Sequence, residues 1–226
     1  RSNSSFFLVF FSFLLVFSSS YSQENELFWA KESFGQYDSA TELVNKRTEF
    51  SKHFQNKDGA ISALIGAGPL NYYENGSWKT IYHGLVKTTN GFQNTTNNHK
   101  TYYPGQATGS IKTVMKDGAV LTDMVGMRMY YSGKNGESRS TVIATSSGTI
   151  NYNVLTFPGV YNSDIDLVLT HNTTFRKMDY VLRSKSALNA MPADAEYLVF
   201  EEKVVLPKGW KAVLNGKRIE LTDQIG

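Results

Sequence analysis

The sequence predicts an antiparallel all-β fold, most simply a β-sandwich built from consecutive hairpins, with a closed barrel as the alternative. Three observations predict it. Six dipeptides (Asp58-Gly59, Asn75-Gly76, Asn90-Gly91, Asp117-Gly118, Asn135-Gly136 and Asn215-Gly216) punctuate the chain, and such pairs accept the positive φ of tight type I′ hairpin turns. The runs that flank them are β-prone, with apolar residues recurring at a period of two. Pro69, Pro104, Pro158, Pro192 and Pro207 all fall between those runs, where a missing N–H costs no ladder hydrogen bond.

Taken in order, Ser39-Ala40-Thr41-Glu42 has the spacing of a capping box and predicts one short helix through Lys46. Phe50 and Phe54, then Ile61, Ala63 and Ile65, alternate on either side of Lys57-Asp58-Gly59, which predicts strand, turn, strand. Residues 110–116 precede 119–125, 127–132 precede 138–144, and 211–214 precede 217–221, each pair joined by a turn dipeptide. Residues 150–157, 165–170, 175–182 and 196–206 continue the strand pattern. Residues 184–194, rich in Ser, Ala and Asn, read as a loop or one short helical turn. The predicted organisation is a leader over 1–22, a lead-in with the short helix over 23–46, and one sandwich domain over 47–226 with a point of subdivision near Ser147.

The leader has its own signature. Residues 6–17, FFLVFFSFLLVF, form an apolar run closed by Ser18, Ser19, Ser20, Tyr21 and Ser22. That is a signal-peptide core and cleavage zone, and it is too short for the roughly 20 residues a membrane-spanning helix needs. Small Ser20 and Ser22 occupy the positions a signal peptidase reads, so cleavage between Ser22 and Gln23 is expected, leaving no membrane span. No Met precedes Arg1, and the final hairpin would leave an open edge, so the sequence reads as part of a longer protein with further domains after Gly226.

Composition excludes several classes. With 23 Lys and Arg against 20 Asp and Glu, the formal charge of +3 is too small and too scattered for a nucleic-acid partner. The absence of cysteine removes disulfide scaffolds, zinc ribbons and thiol catalysis. An exported domain of this size without disulfides points to a bacterial source, so Asn75-Gly76-Ser77, Asn94-Thr95-Thr96 and Asn172-Thr173-Thr174 read as chance sequons.

Two stretches carry a resemblance: 46–82, with Lys46-Arg47-Thr48-Glu49, Lys57-Asp58-Gly59 and Gly68-Pro69-Leu70-Asn71-Tyr72-Tyr73-Glu74-Asn75-Gly76-Ser77-Trp78, and 155–226, with Val160-Tyr161-Asn162-Ser163-Asp164-Ile165-Asp166-Leu167. They resemble the opening β-rich region of very large bacterial secreted and wall-associated proteins of the RHS or YD-repeat type. The exported start with Gln23 is similar to those of Bacteroidota. The resemblance implies a noncatalytic N-terminal module of a larger secreted or surface-displayed protein, with its own downstream domains as the first partner and a surface glycan or protein as another. It also implies that Asp166 satisfies backbone amides at a strand start.

The candidate chemistry is sparse. His53, His83, His99 and His171 show no helix-spaced metal pairing, and Gly66-Ala67-Gly68 runs into Pro69, which has no N–H for a phosphate. Asp164 and Asp166 lie two apart, so on a strand their carboxylates share a face and could hold Ca²⁺ or act as an acid/base pair in a glycan-cleaving enzyme; no other cofactor is indicated. Trp78, Tyr72, Tyr102 and Tyr103 are the candidate ligand residues. Exposed, they would stack on sugar rings in a carbohydrate-binding sandwich, the alternative to the structural module. Buried, they would be core.

Overall fold

The computed structural model describes residues 41–188, 191–214 and 217–218. The expected leader, the cleavage pair Ser22 and Gln23, and the Asn215-Gly216 dipeptide lie outside those residues.

The capping box opens at Ser39 and Ala40, which lie outside the described residues; from Thr41 the predicted helix is present as 3-10 structure that includes the turn Val44–Lys46. Glu42 has partners of its own among the described residues. It forms a bridge with Phe54 and receives Nε and Nη2 of Arg47 at 2.6 and 2.8 Å. A bidentate guanidinium is a strong partner for a carboxylate, and it pins this segment to the start of the first hairpin.

Strands β1 (Ser51–Gln55) and β2 (Ile61–Ile65) form one hairpin, and β3 (Asn71–Glu74) and β4 (Ser77–Thr80) form the next. Asn71 is fully buried and stitches the two together, donating from Nδ2 to the carbonyls of Thr48 and Ser51 at 2.7 and 3.1 Å. Then come β5 (Val86–Thr88), β6 (Gly91–Asn94), β7 (Lys100–Pro104), β8 (Ile111–Val114), β9 (Val120–Gly133) and β10 (Gly136–Val142). They are followed by β11 (Thr149–Asn151), β12 (Val154–Phe157), β13 (Ile165–His171), β14 (Arg176–Leu182), β15 (Ala195–Val205) and the short pair β16 (Val213–Leu214) and β17 (Lys217–Arg218).

All pairings are antiparallel, and the main body is a two-layer sandwich. One layer has the order β10-β9-β8-β7-β6-β5, with β15 on the other side of β9; the second has the order β11-β12-β13-β14. Strand β9 organises the first layer. Its first half pairs with β8, its second half with β10, and β15 runs along its opposite edge. The sequence predicts a break around Gly126 between two strands. The chain instead passes through as one strand, with positive φ at Met124 (59°) and Gly126 (61°) and register irregularities opposite them on β15. That local kink lets one strand serve two neighbours. No sheet closes into a barrel among the described residues, which settles the alternative in favour of the sandwich.

Core residues alternate as predicted. On β12 and β13, Leu155, Phe157, Ile165, Leu167 and Leu169 are fully buried; they belong to one cluster with Phe92, Tyr103, Ile111, Met127 and Met129 of the larger sheet. This cluster draws on both sides of Ser147 and begins at Leu85, so the two N-terminal hairpins pack outside it. They are tied to the sandwich by Glu74 with Lys100 at 2.9 Å and by Asn98 with Glu49 at 3.2 Å.

The turn dipeptides all lie in hairpin connections where described, but in two ways. At Asn75-Gly76 both residues have positive φ, 52° and 79°, the type I′ arrangement. At Asp58-Gly59, Asp117-Gly118 and Asn135-Gly136 only the glycine does. There the aspartates act by side chain, Asp58 and Asp117 each accepting the N–H two residues on at 2.9 Å, which fixes a three-residue turn. Replacing Gly76 with Ala puts a Cβ on left-handed backbone and is expected to cost about 1 kcal/mol in urea unfolding. An unchanged midpoint would contradict the turn assignment.

Two further departures have local causes. Residues 150–157 are not one strand but the hairpin β11 and β12, reversing at Tyr152-Asn153 with Tyr152 at φ 54°. Pro104 is the last residue of β7 rather than a connector.

Candidate functional site

A cluster of ionisable groups sits between the two layers. His171 closes β13 and is in register with Arg176, which opens β14. Alternation along β13 places His171 on the same face as Leu167 and Leu169, so it enters the core and is 1% exposed. Its Nδ1 lies 2.8 Å from the Tyr103 hydroxyl of the opposite sheet. Arg176 makes the parallel tie, its Nη2 donating to Asp123 on β9. His99 lies 5.8 Å from His171, ring centre to ring centre. His83, also buried, meets Thr173 Oγ1 at 3.0 Å from Nδ1, and Asn97 donates to the Thr173 carbonyl at 3.1 Å.

Burial sets the protonation states. It pushes the His171 imidazole down to about 3, helped by His99, His83 and Arg176, and His83 down to about 4. His99 is lowered by burial and by Arg176. Burial raises Asp123 despite the Arg176 guanidinium, and raises Glu202, whose carboxylate accepts the Met124 N–H at 3.2 Å and feels Asp123 nearby. Tyr103 is likewise raised, chiefly by burial. The result is a set of neutral imidazoles beside an ion pair, in which His171 Nε2 and Asp123 Oδ1 have no hydrogen-bond partner among the described residues. Such a group joins sheets, and its imidazoles are neutral at the pH where a free histidine would charge.

The residues singled out from sequence do not converge. Tyr72 and Tyr103 are buried, at 6% and 3% exposure, so neither offers a ring face to a ligand. Trp78 is half-buried, edge-on to Tyr73 at 5.2 Å, and its carbonyl accepts Arg47 Nη1 at 3.1 Å. Tyr102 alone is exposed, at 38%, on the outer face of β7 between Gln93 of β6 and Lys112 of β8.

Asp164 and Asp166 are each engaged separately. Asp164 accepts the hydroxyls of Ser184 and Ser186, the first at 3.0 Å, and those hydroxyls hold its carboxyl below the usual range. Asp166 accepts the Gly159 N–H at 2.9 Å, a backbone amide beside the strand start, and faces Arg183 Nη2 at 3.3 Å. A guanidinium already compensates the charge that Ca²⁺ would need, and among the described residues no group of three His, Asp or Glu is placed to hold a metal ion. EDTA or millimolar Ca²⁺ is therefore expected to leave the melting temperature unchanged, and a Ca²⁺-dependent rise would contradict this arrangement.

Sequence reasoning missed the buried cluster. The signal was present in the alternation Ile165, Leu167, Leu169, His171, which places an imidazole where the next core residue belongs. No helix of the described residues is long and apolar enough to cross a membrane. No family model, no curated protein and no solved structure matches the chain.

Proposed function

We propose that this chain is a noncatalytic β-sandwich module, exported by its N-terminal leader, that works by surface contact as the opening region of a larger secreted or surface-displayed bacterial protein. The observation that carries the reading is where the ionisable side chains go. Tyr103 with His171 and Arg176 with Asp123 tie one sheet to the other, which engages the histidine cluster in holding the fold together, while other charges pair at exposed or half-exposed positions, as Arg128 does with Glu137 and Glu201. The apolar run at 6–17 and its serine boundary support export, and the resemblance of 46–82 and 155–226 to RHS or YD-repeat openings supports the placement.

The test is expression in a Gram-negative host with the native leader, followed by fractionation and N-terminal sequencing. A product outside the cytoplasm that begins at Gln23 is expected. A cytoplasmic product that retains the apolar run would overturn the export half of the reading.

A second reading, carbohydrate binding, is favoured by one placement. Tyr102 is 38% exposed and in register with Gln93, which sets an aromatic residue next to an amide residue in one row of the sheet.

A further inference from the structure

Strands β5, β6 and β7 present one continuous outer face at the edge of the larger sheet. Their register places residues in rows. In one row Tyr102 stands opposite Gln93, which stands opposite Val86; in the next, Pro104 stands opposite Gly91, which stands opposite Thr88. Rows two residues apart on a strand are separated by about 7 Å. The second row opens into a surface groove of about 550 Å³ whose other walls carry Asn90, Gln106, Thr108 and Ser147.

The groove is held in shape by the backbone. Gln106 and Ser147 form an isolated antiparallel bridge; Gln106 Nε2 donates to Ser147 Oγ at 3.0 Å, Ala107 N–H to the Ser146 carbonyl at 2.9 Å, and Gly148 N–H to the Gly105 carbonyl at 3.0 Å. Gly91 is required in the floor: at φ 153° a Cβ there would lie 2.2 Å from the Tyr103 carbonyl oxygen. Besides Phe92 and Pro104, the side chains of the lining are amides, hydroxyls and one charged group, Lys87, with no carboxylate among the described residues that line it.

We propose that this groove and the adjoining Tyr102 row form a binding site for a neutral, hydroxyl-rich polysaccharide, one sugar lying on the Tyr102 ring and its neighbour held by Asn90, Gln106 and Ser147. The assignment rests on the carbohydrate reading given above. A pyranose offers an apolar C–H face and a rim of hydroxyls that both donate and accept. The face matches an exposed phenol ring, and the rim matches amide and hydroxyl groups that do the same. An extended peptide fits less well, because β5 at this edge has only three residues to pair with an added strand.

The test is calorimetric titration of the whole chain with laminarin, xyloglucan, galactomannan and, as polyanions, alginate and polygalacturonate. The result expected is binding of at least one neutral polysaccharide, weakened about tenfold by Tyr102→Ala and by Gln106→Ala. Both positions are exposed, so melting temperatures should hold, and Tyr197→Ala, exposed on β15, should bind as the parent does. Neutral-glycan binding that survives Tyr102→Ala and Gln106→Ala overturns this site and leaves the carbohydrate reading standing. Binding confined to the polyanions and lost on Lys112→Ala overturns the neutral class. No binding to any of the five overturns site and carbohydrate reading together, while the contact-module reading still stands on the export test.

Discussion

Phe157→Ala is expected to remove about 3–5 kcal/mol of stability, the range for deleting a large buried aromatic side chain. Phe157 is fully buried at the end of β12, opposite Leu167 on β13, and belongs to the cluster shared by both sheets. A Cβ at Gly148 would lie 2.8 Å from its ring, so the backbone on that side is already in close contact and has little room to collapse into the void. Against a total of about 5–15 kcal/mol for a domain, that loss takes the variant close to unfolding at 37 °C. Urea melts should show a lower midpoint at unchanged slope. Val142→Ala, at a position 73% exposed on the edge strand β10, is the control and should stay within about 0.5 kcal/mol. Equal losses at the two positions would mean that the core does not lie between these sheets.

The second large effect is acid destabilisation from the histidines between the layers. His171 at about 3 and His83 at about 4 stay neutral in the folded chain, while in the unfolded chain each charges near 6.5. The unfolded state therefore binds more protons as the pH falls below 6.5. The stability is in place above that value and is lost progressively down to the folded values, at about 1.4 kcal/mol per pH unit for each histidine. His99, lowered by burial, adds in the same direction. Asp123 and Glu202 act in the opposite sense. Raised by burial, they take up protons in the folded chain before the unfolded one, so their contribution is in place at low pH and is lost as pH rises through their folded values. The Arg176 guanidinium beside His171 disfavours its imidazolium. The expected profile falls from pH 6.5 to 5 by on the order of 3 kcal/mol through the two histidines, and the raised carboxyls act against the fall. His171→Gln should be less stable at pH 7.5 and shallower in its pH dependence. A flat profile for the parent would contradict the burial of these rings.

Much of this fold was legible because hairpin turns have a strong chemical signature. Asn-Gly and Asp-Gly mark connections wherever they are described, since glycine alone takes a left-handed φ without cost. The turn at Tyr152-Asn153 carries no glycine, and there the strand pattern of 150–157 concealed a reversal. Gly126 misled in the other direction: it is a kink inside β9, which continues because β15 holds its opposite edge. The short helix shows among the described residues as 3-10 structure up to Lys46, beside the Glu42–Arg47 pair, while its opening at Ser39 lies outside them. The candidate site was less legible than the fold. Whether an aromatic residue is a platform or a core residue depends on one step of register, and Tyr102 and Tyr103 are neighbours with opposite fates. The groove depends on loops brought together at Gln106 and Ser147, positions far apart in the chain that no local pattern connects.

The central claim is that His83 and His171, with the Arg176–Asp123 pair, are enclosed as ties between the sheets. Side-chain ¹⁵N spectra of the four histidines, recorded at pH 5.5 with the strand amides still dispersed, test it most directly. The account predicts neutral imidazole shifts for His83 and His171 at that pH. Protonated shifts at both positions, with the sheets intact, would place these rings in water and contradict it.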